Sequence, residues 1–276
     1  PPINPGSAPT NTFVQQSGYY NTGIKMEQTI KHLHVICYKW GNLYQADYIN
    51  TLANMVNRHL EVPYTLHCIT DDPTGINKGI NTHQLPNYGF EGIWRKLMSF
   101  QKDFLGLDGQ YVLSIDLDVV IIDSINFVAQ NPNLDFVIAR NWSQSGSRGS
   151  GCIYRLKVGS HPEIWDRFMD DPEASINQHH GKTRLIGEQQ WLDTHIKNFN
   201  YFPDGKVVSF KRHCRSKGKI LRLCGVEMLN TARFGIAKAP AGAALISFHG
   251  DPSPHQVRDT HWGRWRKAPF VQEHWR

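Results

Sequence analysis

The sequence lacks most of what marks a disulfide scaffold or a membrane protein. Its five cysteines, Cys37, Cys68, Cys152, Cys214 and Cys224, are scattered over 276 residues with no Cys-x-x-Cys pair. That spacing argues against a zinc ribbon or a thioredoxin-like site. Cys37 and Cys68 lie inside apolar runs and read as core residues, while Cys214 and Cys224 are placed to pair if their segments form a hairpin. An odd count without a dense framework favours reduced thiols and an intracellular setting. No apolar run reaches the length of a membrane span, and no signal-peptide pattern is present. The chain opens on Pro1 instead of methionine, so a trimmed N-terminus and a lost anchor stay open. Internal repeats and low-complexity tracts are absent. Charged residues make up 20% of the chain, an ordinary share that argues against general disorder.

What is present suits a globular α/β protein. Hydrophobic residues account for 40% of the chain, enough for one domain with a sizeable core. The formal net charge is +6. A basic excess suits an anionic partner such as a nucleotide diphosphate, a nucleic acid or a lipid phosphate, without choosing among them. Residues 1–30 are rich in Pro, Asn, Thr, Ser and Gly and read as a flexible arm; residues 31–276 read as a single domain. The run Leu33 to Tyr38 has strand length. Tyr48, Leu52, Met55, Val56 and Leu60 recur at spacings of three and four, which predicts a helix over 44–60. A second strand follows over Tyr64 to Ile69. Strand, helix, strand predicts a right-handed parallel unit whose polar ends, Tyr38 to Trp40 and Asp71 to Asp72, share one sheet edge. Ligands bind at that edge in open α/β sheets. A helix is expected at Trp94 to Phe100, further strands at Asp135 to Ala139, Gly151 to Leu156 and Ala244 to Phe248, and a helix at Gly187 to His195. Residues 203–224 read as a basic loop or hairpin. Asn141-Trp142-Ser143 is a glycosylation sequon by pattern alone.

The chemistry centres on Asp116-Leu117-Asp118, which follows the apolar strand Tyr111 to Ile115. Alternate side chains of an extended chain share a face, so the two carboxylates point the same way. They repel unless a cation lies between them. Oxygen ligands favour Mg²⁺ or Mn²⁺, ions that usually bind substrate phosphates as well. A pair of turn aspartates is the competing reading. Val119 to Ile122 continues the apolar run, so the acids interrupt a core-like stretch, and acids there need a partner.

Tyr111 to Ile122, YVLSIDLDVVII, resembles the metal-binding strand of GT-A fold (Rossmann-like) glycosyltransferases. The upstream WRKLMSF and the late SFHGDPSPH at 247–255 resemble the glycogenin-like, family 8-like group in the same order. The likeness spans roughly residues 33–255. It implies an α/β fold with a mixed central sheet flanked by helices, and an enzyme that moves a sugar from a nucleotide diphosphate sugar, with UDP-sugar first, to a glycan or other hydroxyl acceptor. It implies Asp116, Asp118 and His249 as ligands of Mn²⁺ or Mg²⁺, with Asp116 also touching the donor. Tyr38, Asp71, Lys96, Gly151 and Gly250 would line the donor site. Glu188 and Gln189 would stand beside the transferred sugar, where Glu188 is open to two roles: hydrogen bonds to sugar hydroxyls, or a general base in an inverting enzyme. The resemblance itself leans toward retention. Where the group often carries a phosphate-binding lysine, this chain has Ser253, and Arg258 or Lys96 are the substitutes to consider.

Two features admit blander readings. The basic run over 206–222 (Lys206, Lys211, Arg212, Arg215, Lys217, Lys219, Arg222) suits an anionic acceptor or peripheral membrane contact, or is simply a solvated loop. Trp262, Trp265, Phe270 and Trp275 either stack on acceptor sugars or pack back on the domain. The rival functions are an inactive glycosyltransferase-like protein and a binder of nucleic acid or another anionic ligand. No nucleic-acid-reading motif is present, so no nucleic acid partner is expected. A nucleotidyltransferase would carry a Gly-rich loop where this chain reads YKWGN. The expected location is cytoplasmic or at a membrane periphery.

Overall fold

The computed structural model describes residues 29–142, 148–179, 187–215, 220–223, 226–230 and 235–276. Most of the expected arm, Ser143 of the sequon, Lys217, Lys219 and Cys224 therefore lie outside the described residues. Thr29 bridges Gln130, while Ile30 is buried and its N–H bonds to the Ala129 carbonyl.

β1 (Leu33–Lys39), α1 (Ala46–His59) and β2 (Tyr64–Thr70) form the expected unit. Tyr48, Ile49, Leu52, Met55 and Val56 are the buried face of α1. β1 and β2 pair in parallel, from Leu33 opposite Tyr64 to Lys39 opposite Thr70; parallel partners need a crossover, and α1 supplies it. β3 (Asn81–Gln84), which the sequence pattern did not reveal, extends the parallel edge beside β2. The Trp-Arg-Lys-Leu segment is a nine-residue 3₁₀ helix, Gly92–Phe100. Its three-residue repeat eclipses side chains at i and i+3, so Trp94, Leu97 and Phe100 form one row in the core while Ile93 and Lys96 share another.

β4 (Tyr111–Ile115), β5 (Val119–Ile121), β6 (Phe136–Arg140) and β7 (Gly149–Lys157) follow. Next come α2 (Pro162–Asp170), α3 (Pro172–His179), α4 (Glu188–His195), β8 (Asn200–Tyr201), β9 (Val207–Ser209) and α5 (Phe210–His213). The chain closes with β10 (Ile220–Leu223), β11 (Val226–Asn230), β12 (Leu245–Ser247), α6 (Pro254–Arg258) and α7 (Pro269–His274). The main sheet has the order β3-β2-β1-β4-β7-β6-β8. It is parallel from β3 to β4, antiparallel at β4/β7 and β7/β6, and parallel again at β6/β8. β5, β12 and β9 form a second sheet, and β10 and β11 a hairpin. The basic run is thus not one loop: it holds β9 and α5 and ends inside the hairpin.

Both faces of the main sheet are covered. Val35, Cys37, Leu113 and Ile153 face a core shared with α1, the second sheet and the C-terminal segment. Ile36, Tyr38, Val112 and Tyr154 face a core shared with the 3₁₀ helix, α2 and α4. Trp265, Phe270 and Trp275 are buried in the first core, and Trp275 meets the Tyr48 ring edge-on at 5.0 Å. Of the two readings, packing on the domain holds for these three; Trp262 alone of the four is exposed. Cys37, Cys68, Cys152 and Cys214 are buried free thiols. No helix among the described residues is long and apolar enough to cross a membrane.

Three imidazoles run diagonally across β1, β2 and β3, from His34 near the start of β1 to His83, which is level with Tyr38 near its end. His34 Nδ1 lies 3.0 Å from His67 Nε2, and His67 Nδ1 lies 2.9 Å from His83 Nε2. Gln110 Oε1 closes the chain on His34 Nε2 at 2.7 Å. A carbonyl oxygen only accepts, so neutral rings give one consistent order: each Nε2–H donates and each Nδ1 facing a neighbour accepts. Burial, then the neighbouring His34, His83 and His32, pull His67 down to about 4. An unfolded chain takes up a proton near 6.5, so the stabilising effect is complete above that value and is lost as pH falls toward 4. Between pH 7 and 4, His67→Gln should remove about 2–3 kcal/mol of the native protein's acid-dependent loss of stability. Urea unfolding of both proteins across that range measures it, and parallel pH profiles would refute it.

Candidate active site

The acid motif is the joint between the two sheets. Asp116 N–H bonds to the Cys152 carbonyl of β7 at 2.9 Å, and the Asp118 carbonyl accepts from Phe248 N–H, just past β12, at 3.0 Å. Leu117 between them is buried in the core. The two acids are therefore fixed by backbone bonds to different sheets, while their side chains turn toward a common cavity. In the second sheet β5 runs antiparallel to β12, and β9 runs parallel to it with Ser209 opposite Ser247. This register brings the residues after β12 (His249, Gly250) and after β9 (Phe210, Lys211) to the end where Asp118 sits.

The cavity has a volume of about 310 Å³. Tyr38, Lys96, Asp116, Asp118, Gln189, His249 and Gly250 all line it, so seven of the residues singled out from sequence come together. Trp40, Leu43, Tyr44, Ile93 and Leu117 complete the wall. Three others stand off the wall. Asp71 lies at the strand edge, where it accepts from Gly41 N–H at 2.8 Å and pairs with Lys39 at 3.7 Å. Gly151 and Glu188 lie behind Lys96.

Lys96 is 3% exposed, and its Nζ is 2.6 Å from Asp116 Oδ1, 3.1 Å from Glu188 Oε1 and 2.8 Å from the Gly151 carbonyl oxygen. Burial works against its charge, but the Asp116 and Glu188 carboxylates outweigh burial and hold the ammonium well above the usual lysine value. Glu188 is 1% exposed, and burial raises its carboxyl above the ordinary range. Two glycines make this arrangement possible. A Cβ on Gly151 would stand 2.3 Å from Glu188 Oε1, and one on Gly187, whose φ is +84°, would stand 2.4 Å from Ile93 Cγ2. Gly187 thus lets the start of α4 close onto the 3₁₀ helix, and Gly151 leaves room for the carboxylate that arrives with it.

Asp118 is 8% exposed and is pushed up to about 6, first by burial and then by the charge of Asp116. Its Oδ2 receives a long contact, 3.4 Å, from Gly250 N–H. His249 has φ +39° at the turn out of β12. Its ring stacks on Trp142 at 5.5 Å, and its Nε2 lies 2.6 Å from Ser209 Oγ. Burial, then Lys211 and Arg212, pull it down to about 4, so the imidazole is neutral and able to offer a lone pair. Among the described residues no three His, Cys, Asp or Glu side chains stand at metal-binding spacing. The donor set nevertheless fits a cation that arrives with a phosphate: such ions take one or two carboxylates and complete their shell from substrate and water. Asp116 and Asp118, which repel each other and of which only Asp116 is paired with Lys96, offer that number.

Of the two substitutes considered for the phosphate cation, Arg258 pairs with Asp259 at 2.8 Å and does not line the cavity, while Lys96 is already enclosed by acids. Ser253 is the N-cap of α6, in a capping box with Gln256. Tyr44, Trp40 and Trp142 carried no functional expectation. Tyr44 is raised by burial, then by Asp118 and Asp116, which places its phenol beside both acids.

No protein-family model matches the sequence, and a search of curated proteins finds no match. Solved structures do match. An active-site mutant of LgtC aligns over 87% of this chain and 96% of its own, with a TM-score of 0.56 at 13% identity. The apo form of the glycosyltransferase GlyE from Streptococcus pneumoniae TIGR4 aligns over 90% of this chain with a TM-score of 0.56 at 12% identity. This chain spans 59% of the length of that structure. The protein therefore has a GT-A-like glycosyltransferase fold, a mixed seven-stranded sheet flanked by helices.

Proposed function

We propose that the protein is a metal-dependent glycosyltransferase that takes a sugar from a nucleotide diphosphate sugar, with a UDP-sugar as the first candidate, and passes it to a hydroxyl acceptor. The observation that carries this reading is the meeting of Asp116, Asp118, His249 and Lys96 on one cavity at the carboxyl ends of parallel strands. Asp116 and Asp118, with His249 as a further donor, would hold Mn²⁺ or Mg²⁺. Bound there, the ion would neutralise the departing diphosphate.

The chain's own residues do the rest by position and charge. Tyr38, Trp40 and Tyr44 give the cavity an aromatic wall, a surface on which a nucleobase stacks. The Tyr38 hydroxyl faces Ser99 and Tyr154, so its ring is the part offered. Gln189 is on the wall and has the amide donors and acceptor that suit sugar hydroxyls. Glu188 is assigned as a positioning residue: its carboxylate fixes Lys96, which in turn fixes Asp116. With Glu188 occupied in that way, it is withdrawn from the role of acceptor base, and retention, toward which the family resemblance leans, is the stereochemical course we favour. In the transfer, the bond from the anomeric carbon to the diphosphate oxygen breaks, the acceptor hydroxyl oxygen bonds that carbon, and the nucleoside diphosphate leaves with the bonding pair and takes up the hydroxyl proton.

Calorimetry of UDP binding at pH 7.5, with and without Mn²⁺, is the direct test. Heat of binding that requires Mn²⁺ is the expected result. Failure of UDP, GDP and the other nucleoside diphosphates under every metal condition would overturn the reading.

A further inference from the structure

The cavity leaves one electrostatic question open. A diphosphate brings more negative charge than a divalent ion cancels, and the lysine already in the wall, Lys96, is enclosed by two carboxylates and a carbonyl. The position three residues after Gly250, where the family resemblance places a lysine, holds Ser253, which caps α6. Lys211 answers the need from a different element. Ser209 and Ser247 are paired in register, so Lys211, two residues past Ser209, comes level with His249, two residues past Ser247. Its Nζ donates to the His249 carbonyl oxygen at 2.8 Å and lies 3.7 Å from where a Cβ on Gly250 would be. Gly250 lines the cavity, and its N–H points at Asp118. Lys211 thus stands beside the cavity, near Asp251 and Asp118 but in an ion pair with neither among the described residues, and it is held by a neutral carbonyl, so its charge is left for a ligand. Arg264 and Arg212 lie close by, adding to the local positive field.

We propose that Lys211 is the cation that binds the donor diphosphate, so that α5 supplies the contact that the segment after Gly250 does not. This inference rests on the nucleotide-sugar reading above, and it moves the phosphate contact from the chain following β12 to the chain following β9. A lysine on a four-carbon stem reaches an oxygen as a point charge and swings as the ligand enters.

The test is calorimetry of the full chain with Mn²⁺ at pH 7.5, using UDP and inorganic pyrophosphate as probes. Lys211→Met should weaken both ligands by the same factor, about 10- to 100-fold, as expected for a hydrogen bond to a charged group. Lys211→Arg should recover UDP affinity to within a few-fold, and the salt dependence of UDP binding should flatten in Lys211→Met. Native UDP affinity in Lys211→Met would overturn the assignment while leaving the nucleotide site standing. A loss that arginine does not restore would mark a structural role and overturn it too. If the native chain binds neither probe, this inference falls, and the broader reading falls with it only when GDP and the other nucleoside diphosphates fail as well.

Discussion

Lys96→Met should lower the stability of the folded protein by about 3–5 kcal/mol, the usual cost of removing one partner from a buried charge pair. Methionine fills much of the space of the lysine stem, so the loss is electrostatic and not a cavity effect. Glu188 is 1% exposed and finds in Lys96 its only counter-charge among the described residues, at 3.1 Å. Asp116 loses its 2.6 Å contact at the same time, and the Gly151 carbonyl loses its donor. The least costly response is for Glu188 to take up a proton, since burial has already raised its carboxyl. Two consequences separate this from general damage. The penalty should shrink as the pH is lowered, because the native state then carries the proton without cost. Glu188→Gln should relieve part of it, so the double variant should be more stable than Lys96→Met alone. Urea unfolding of the four proteins at pH 7 and again at pH 5 measures both. A Lys96→Met variant within 1 kcal/mol of native, on the ~5–15 kcal/mol scale of domain stability, would refute the electrostatic account.

That trio also shows where sequence stops informing on structure. The β1-α1-β2 unit was legible because its apolar spacings are local, and local periodicity survives whatever packs against it. Asp116 and Asp118 were legible as a pair for the same reason. Their place at a joint between two sheets was not, because Val119 to Ile121 reads as more of the same strand while in fact pairing with β12, more than a hundred residues on. Lys96 looks like a solvated helix lysine in sequence. Its burial depends on α4, brought in from 92 positions away through the glycine at 187. Lys211 was hidden differently: seven basic residues in seventeen read as one feature, and only the β9/β12 register separates the lysine at the cavity from those that share its charge. The imidazole chain could not be seen because each ring sits two residues beyond its neighbour's direct partner, a diagonal fixed by strand register alone. The C-terminal tryptophans were ambiguous because aromatic side chains serve cores and sugar platforms equally well. Tyr44 was hidden because it lies before the start of α1, outside the helical periodicity, and only the folded chain brings its ring to 4.8 Å from Tyr48 and its phenol beside the acids.

Asp118→Asn should separate function from stability in opposite directions. The amide keeps the size of the side chain and an oxygen to accept the Gly250 N–H, but it carries no charge for a cation. UDP affinity in the presence of Mn²⁺ should fall at least 100-fold, about 3 kcal/mol, to the level measured without metal. The fold should become more stable. Asp118 is pushed up to about 6 by burial and by Asp116, so at pH 7.5 the native state holds an ionised carboxylate that the unfolded chain ionises more readily. For an acid raised in this way the cost is complete above about pH 6 and disappears below the unfolded value near 3.8. Removing the charge should therefore stabilise the protein by about 1–3 kcal/mol at pH 7.5 and by almost nothing near pH 4. A structural aspartate gives the reverse result, a destabilised fold at neutral pH. Full Mn²⁺-dependent UDP binding by the asparagine variant would remove Asp118 from the site. Lost binding with gained stability would mean that the chain keeps a destabilising carboxylate in its interior for the ligand it is there to hold.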